Sequence, residues 1–218
     1  MKYIVSWSGG KDCSLAMYKA QQDYGKPVML LTSIPANVDK TMAHGYRETI
    51  LKKQAEAMAL PIDFMYFEAG AYRDAYVEKL KQIKQEHGIT HVVYGDLYLE
   101  EHRVWIEEVC REVKLSSLFP AWIKPGDSME LYQEYLVLGF RSVIVNVNKK
   151  FLGREWLGRY LNEELANEAS GKFCPMAERG EYHSLVVDGP VFSKPLSITK
   201  YKVLEEEECF KMDIQEIV

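Results

Sequence analysis

From residue 2 to about residue 122 the chain alternates short apolar runs with stretches of helical period, and few folds accommodate that alternation. Residues 2–7 (KYIVSW) read as a buried strand, and Cys13, Ala16, Ala20 and Tyr24 then share a helical stripe that Gly25-Lys26-Pro27 stops. Val28 to Ile34 is a second strand, followed by a polar stretch and a helix with Leu51, Ala55 and Met58 on one face. Ile62 to Phe67 is a third strand. Tyr76, Leu80 and Ile83 mark the next helix, closed by Gly88. The run ITHVVYGD is a fourth strand ending in Gly95-Asp96, its helix carries His102, Ile106, Val109 and Val113 on one stripe, and LSSLFPAW is a fifth strand. Strands and helices in this order predict right-handed βαβ crossovers and a parallel, five-stranded, Rossmann-like sheet (HUP-type) with helices on both faces. Loops at the carboxyl edge of such a sheet are where ligands bind.

The pattern changes near IKPGDSMELYQEYLVLGF, where Asp127 and Glu130 suggest a capping box. RSVIVNVN reads as a strand, REWLGRYLNEELANEA as a helix, and the remainder from Glu181 as three strands separated by turns. We therefore expect a larger α/β domain over residues 1–124 and a smaller α+β domain over 125–218. The formal charge of -5 disfavours a broad nucleic-acid surface. No apolar run is long enough to span a membrane, and the N-terminus reads as a strand rather than a signal core. Cys13, Cys110, Cys174 and Cys209 form no CxxC pair, a pattern expected of reduced thiols in a cytoplasmic protein.

The chemistry concentrates first in the turn after the opening strand, Ser8-Gly9-Gly10-Lys11-Asp12-Cys13-Ser14. GxGxxG is absent, and a Walker A loop would need Ser or Thr after the Lys, where this chain has Asp12. Gly9 and Gly10 let backbone N–H groups approach phosphate oxygens, and Ser8 and Ser14 add hydroxyls. The helix that follows points its positive end at the same place. Lys11 is suited to neutralise phosphate charge, and Asp12 to hold a Mg²⁺ ion that bridges phosphates.

The string SGGKDCS resembles the SGGxDS loop of the N-type ATP pyrophosphatases, the PP-loop superfamily. Three further segments, MAHGYRETILKKQAEAMALPI, YGDLYLEEHRVWIEEVCREVKLSSLFPAW and CPMAERGEYHSLVVDGPVF, are similar in order and spacing to the diphthine–ammonia ligase family. By that resemblance the loop cradles the β,γ-pyrophosphate of ATP, and Gly95, Asp96, Arg103 and Glu107 lie at or near the active cleft. Arg103 and Glu107, four apart, also suit a simple surface ion pair. His44 matches a recurrent family position and is a candidate contact to nucleotide or substrate. The family pattern near C-G-E-x-G-E-(Y/F)-H-T is met here by Glu178, Gly180, Glu181, Tyr182 and His183, with Ala177 in place of its first Gly. Glu178, Glu181 and His183 are the candidate bases, and the chemistry leaves the choice among them open. Cys13 stands where Ser is commonest, and as a residue type it suits packing better than catalysis.

What the resemblance implies is amide ligation. A substrate carboxylate attacks the α-phosphorus of ATP and releases PPi; ammonia then displaces AMP. In the family the carboxylate belongs to diphthine, a modified histidine of translation elongation factor 2, and a small molecule is the alternative substrate. No glutaminase segment is visible, so the nitrogen would come from free ammonium or a separate partner. Two competing readings are an RNA-thiolating PP-loop enzyme, which would need paired catalytic cysteines or an RNA-binding appendage, and a nucleotide-binding module without turnover. A homodimer is compatible with the aromatic content, although no face is marked for it.

Overall fold

The computed structural model describes residues 1–42, 44–169 and 171–218. Strands β1 (Tyr3–Ser6), β2 (Leu30–Pro35), β3 (Ile62–Phe67), β4 (His91–Val93) and β5 (Ser116–Leu118) pair in parallel in the order β3-β2-β1-β4-β5. The period of two in each strand divides its side chains between two cores. Val5, Leu30 and Val93 pack with helices α1 (Lys11–Tyr24) and α2 (Glu48–Ala57). Ile4, Leu31 and Val92 pack with α3 (Tyr72–His87) and α4 (Glu100–Glu112). The doubly wound sheet expected from the alternation is therefore present. The order in which strands are added reverses between β1 and β4, so the loops leaving those two strands flank the crevice such a topology creates.

The second unit is an antiparallel sheet of β6 (Arg141–Asn148), β7 (Tyr182–Asp188), β8 (Ile198–Glu205) and β9 (Cys209–Ile217), ordered β7-β6-β9-β8. Helices α5 (Ser128–Val137) and α6 (Glu163–Ala169) accompany it. The apolar core beneath α1 and α2 continues without a break into this unit, through Tyr132, Tyr135, Val145 and Leu185. Ion pairs Lys19–Glu134 (2.8 Å) and Arg47–Asp213 (3.2 Å) reinforce the junction. Among the described residues, no helix is long and apolar enough to cross a membrane.

Three local expectations are corrected. REWLGRYLNEELANEA is not one helix. Arg154–Trp156 is a single 3-10 turn, Gly158 takes a left-handed φ of 81°, and helix α6 begins only at Glu163. Asn162 Oδ1 accepts the Leu165 N–H (2.8 Å) and so caps that later start. The Asp127–Glu130 capping box does not form, because a 3-10 turn over Pro125–Asp127 leads into α5 and the Asp127 side chain makes no cap bond. The stripe assigned to α4 holds at Ile106, Val109 and Val113, while His102 leaves it and stands exposed beside Asp96.

The opening loop is fastened to both units by one buried amide. Gln54, on α2 and fully buried, donates from Nε2 to Gly9 O (3.0 Å) and Val186 O (2.7 Å), and its Oε1 accepts from Trp7 Nε1 (3.1 Å). Val186 N–H in turn donates to Gly9 O (3.0 Å), so strand β7 and the loop are joined directly. Replacing Gln54 with Leu would strand the Trp7 N–H and the Val186 carbonyl in the core. We expect Gln54→Leu to lower unfolding free energy by about 3 kcal/mol, read from the urea midpoint at unchanged slope.

Candidate functional site

A cavity of about 370 Å³ lies at the switch point, lined from the first unit by Ser8, Lys11, Asp12, His44 and Asp96 and from the second by Glu178, His183 and Ser184. Two glycines shape the loop beside it. Gly9 has φ 83°, and a Cβ there would come within 2.8 Å of Leu51 Cδ2 and 2.9 Å of Gln54 Oε1. A Cβ at Gly10, the N-cap of α1, would stand 3.1 Å from both His44 Nε2 and the Ser184 carbonyl. The loop therefore runs in close contact with its surroundings, and the unpaired N–H groups at the start of α1 face the cavity end of the helix.

Lys11 is held rather than solvated. It is 4% exposed, its Nζ lies 2.9 Å from Asp12 Oδ2, and it sits over the Tyr182 ring at 5.3 Å. Asp12 Oδ1 is buried with no partner. Burial pushes the Asp12 carboxyl above its usual value, against the pull of Lys11. An unpartnered carboxylate oxygen beside a buried ammonium suits a ligand that brings both positive and negative charge, as Mg²⁺ with phosphate does. No group of three or more His, Cys, Asp or Glu able to hold a metal occurs among the described residues. Asp12 would thus be a protein ligand to a mainly water- and phosphate-bound ion, which is how Mg²⁺ usually binds. Ser184 Oγ is also buried without a partner and lines the same cavity.

The second unit contributes a short turn carrying Glu178. Glu181, 1% exposed, accepts the Cys174 N–H on Oε1 and the Arg179 N–H on Oε2, both at 3.0 Å. Both of its oxygens are thereby used to hold the turn. Glu178 Oε1 accepts the Leu97 N–H (3.2 Å), which docks the turn onto the chain after β4. Burial, reinforced by the Asp12 charge, raises the Glu178 carboxyl to about 7. Ala177, standing where the related pattern has Gly, takes a left-handed φ of 51°, a conformation that costs a residue with a Cβ.

His44 and His183 approach to 4.6 Å between ring centroids. Burial lowers His183 to about 4, with Lys11 and Lys211 adding to the effect. Burial, His183 and Lys11 push His44 well below its usual value. Both rings are neutral near pH 7 and present one donor and one acceptor nitrogen each.

Other expected residues lie elsewhere. Ser14 is fully buried and donates its hydroxyl to Lys11 O (2.7 Å), away from the cavity. Arg103 pairs with Glu107 (2.9 Å) and stacks over Phe119 and Trp122, and neither member lines the cavity. Gly95 does line it, for a packing reason: a Cβ would stand 2.6 Å from the Cys13 nitrogen. Cys13 is buried, its thiol donating to Gly10 O (3.2 Å) and accepting from Ser8 Oγ (3.3 Å). Burial raises that thiol, and its two hydrogen bonds brace the loop. Cys110 and Cys174 belong to different cores and form no pair. Sequence reasoning missed Gln54, Ser184 and the cavity-facing His102; Ser184 followed the quoted EYH run, but Gln54 carries no local signal.

Residues 1–117 match the family profile described as diphthamide synthase N-terminal domain, and residues 127–217 the one described as diphthamide synthase C-terminal domain. The chain belongs to the diphthamide synthase family. A protein of Schizosaccharomyces pombe named diphthine–ammonia ligase is 26% identical over 96% of this chain, which spans only 38% of that longer relative. Proteins of the same name from Rattus norvegicus and Homo sapiens are 25% and 24% identical, over 96% and 94% of this chain and 88% and 85% of their own lengths.

Two outcomes test this geometry. Gly9→Ala should cost at least 10-fold in ATP affinity by calorimetry, because positive φ and the contact with Gln54 both oppose a Cβ. The raised Glu178 value sets a pH dependence with a definite sign. Between about pH 4.5 and about 7 the folded chain keeps a proton that the unfolded chain has lost, so its stability falls as pH rises and then levels. Glu178→Gln should remove that slope in urea titrations at pH 5 and pH 8, and an unchanged slope would place the burial energy elsewhere.

Proposed function

We propose that this chain is an ATP-dependent carboxylate–ammonia ligase of the diphthine–ammonia ligase type, forming AMP and PPi. The observation that carries the reading is the meeting of the Ser8–Asp12 loop with Glu178 of the second unit in one cavity. On this reading residues 1–124 bind the nucleotide and residues 125–218 supply the groups that face the acceptor.

The loop amides and the start of α1 receive the β,γ-pyrophosphate, and Lys11, already held by Asp12 and Tyr182, adds a fixed positive charge. When bound, Mg²⁺ would supply charge neutralisation at the phosphates, with Asp12 as its protein ligand. The neutral imidazoles of His44 and His183 and the Ser184 hydroxyl offer hydrogen bonds without adding charge. A carboxylate oxygen of the acceptor attacks the α-phosphorus, the α–β bridging bond breaks, and PPi leaves. Ammonia then attacks the acyl carbon and AMP departs. Glu178, with a value near 7, is matched to take the proton that the nitrogen must lose at neutral pH. Diphthine is the acceptor that the relatives' names indicate.

The test is ATP consumption across a panel of carboxylates, with and without ammonium. Lys11→Met and Asp12→Asn should each lower the rate by about 100-fold or more, and Glu178→Gln should depress the ammonium-dependent step while leaving PPi exchange. Full activity in both loop variants would remove the loop from the reaction.

A further inference from the structure

The proton balance of amination asks for more than one acceptor. When nitrogen arrives as ammonium, four hydrogens enter and the amide keeps two. Two protons must therefore leave, one before the nitrogen can attack and one as the C–N bond is completed. Glu178, half-buried on the second unit, accounts for one of them. The other needs a second base on the same cavity.

The remaining candidates reduce to a single group. Both oxygens of Glu181 are held by backbone N–H groups. Around His44 and His183, burial, with Lys11 adding to it, opposes a proton on either ring. Asp12 is committed to Lys11, 2.9 Å away. His102 differs from all of these. It stands in the first turn of α4, its side chain is 62% exposed, and it lines the cavity with Asp96 and Glu178. Its Nδ1 lies 3.2 Å from Asp96 Oδ1. A carboxylate only accepts, so Nδ1 carries the proton and Nε2 is left as the free acceptor.

The surroundings suit a cation formed on that ring. Asp96 lies against it, Glu101 precedes it on α4, and Glu178 lines the same cavity. Arg73, which shares a neighbouring wall with His102, is neutralised by Glu112 at 2.7 Å. Lys11, the cation of the cavity itself, is paired with Asp12. A fixed carboxylate behind an imidazole sets its tautomer and stabilises the imidazolium that forms.

Resting on the ligase reading, we propose that His102, oriented by Asp96, is a second catalytic base, which takes a proton from ammonium and so makes the attacking nitrogen. Ammonium gives one proton to His102 Nε2 and becomes ammonia. The ammonia lone pair attacks the acyl carbon, the bond from that carbon to the AMP oxygen breaks, and Glu178 receives the second proton.

Hydroxylamine separates the two bases, because it reaches the site already neutral and loses only one proton on forming a hydroxamate. With a carboxylate that the enzyme accepts, His102→Gln should slow amide formation from ammonium about 100-fold near neutral pH. Hydroxamate formation by the same variant should fall by no more than about 2-fold, whereas Glu178→Gln should slow both reactions. Asp96→Asn should reproduce the ammonium defect in part, through loss of the orienting carboxylate. The His102→Gln deficit should shrink as pH rises and the nitrogen source becomes neutral by itself. His102 is exposed, so its substitution leaves the core untouched. An equal loss with the two nucleophiles overturns the role, as does an ammonium deficit that persists at alkaline pH, or full ammonium activity in His102→Gln. In each of those cases the parent chain still forms amide, and the ligase reading stands. Neither amide nor hydroxamate from any carboxylate in the parent chain overturns the ligase reading, and this role with it.

Discussion

The Gln54 amide, in the core between the two units, holds the rest of the site in place. It ties the Gly9 carbonyl, the Val186 carbonyl and the Trp7 indole together at hydrogen-bond distance, while Val186 N–H closes on Gly9 directly. A glycine loop is entropically expensive to order, and a phosphate site must not pay that cost at each binding event. Here the loop is ordered by buried hydrogen bonds to Gln54 and Val186. Because one of those groups belongs to β7, the same contact that stiffens the loop also sets where Tyr182, His183 and Ser184 stand. The loop after β1 and the β7 side chains are therefore aligned by one buried amide.

Electrostatics in the cavity follow from that enclosure. Lys11 and Asp12 satisfy each other only in part, leaving one Asp12 oxygen without a partner. Around them, burial keeps both histidines neutral and holds Glu178 near 7. Fixed positive charge is thus concentrated on Lys11 and the start of α1, where phosphate would lie. The titrating group is placed across from it on the second unit. Separation of a permanent charge from a proton acceptor is what adenylation followed by amination requires, because the two half-reactions ask for different electrostatics.

Much of this was legible in the chain itself. Strand–helix alternation from Lys2 to Trp122 is strong and local, so the parallel sheet and the loop after β1 followed from period and order. The failed Walker pattern at Asp12 narrowed the loop chemistry that the chain admits. Other features depended on contacts far apart in sequence. Gln54 sits on an unremarkable helical stretch, and its partners lie at positions 7, 9 and 186. Glu181 accepts two backbone N–H groups of its own turn, contacts that its place in the run ERGEYHS does not reveal. Arg103 and Glu107 had the right spacing to pair, and pairing is what they do, outside the cavity. Helix α6 was overextended because the period of REWLGRYLNEELANEA outweighed Gly158, whose left-handed turn decides the outcome.

The central claim is that the loop grips the terminal phosphates and leaves the α-phosphorus open to the acceptor carboxylate. The most direct test places ¹⁸O in that carboxylate and follows the label by ³¹P NMR during ammonium-dependent turnover. Attack at the α-phosphorus leaves one carboxylate oxygen on the departing nucleotide, so the label should appear in AMP, with unlabelled PPi as co-product. Label in inorganic phosphate with ADP as the nucleotide product would mean attack at the γ-phosphorus and would contradict the account.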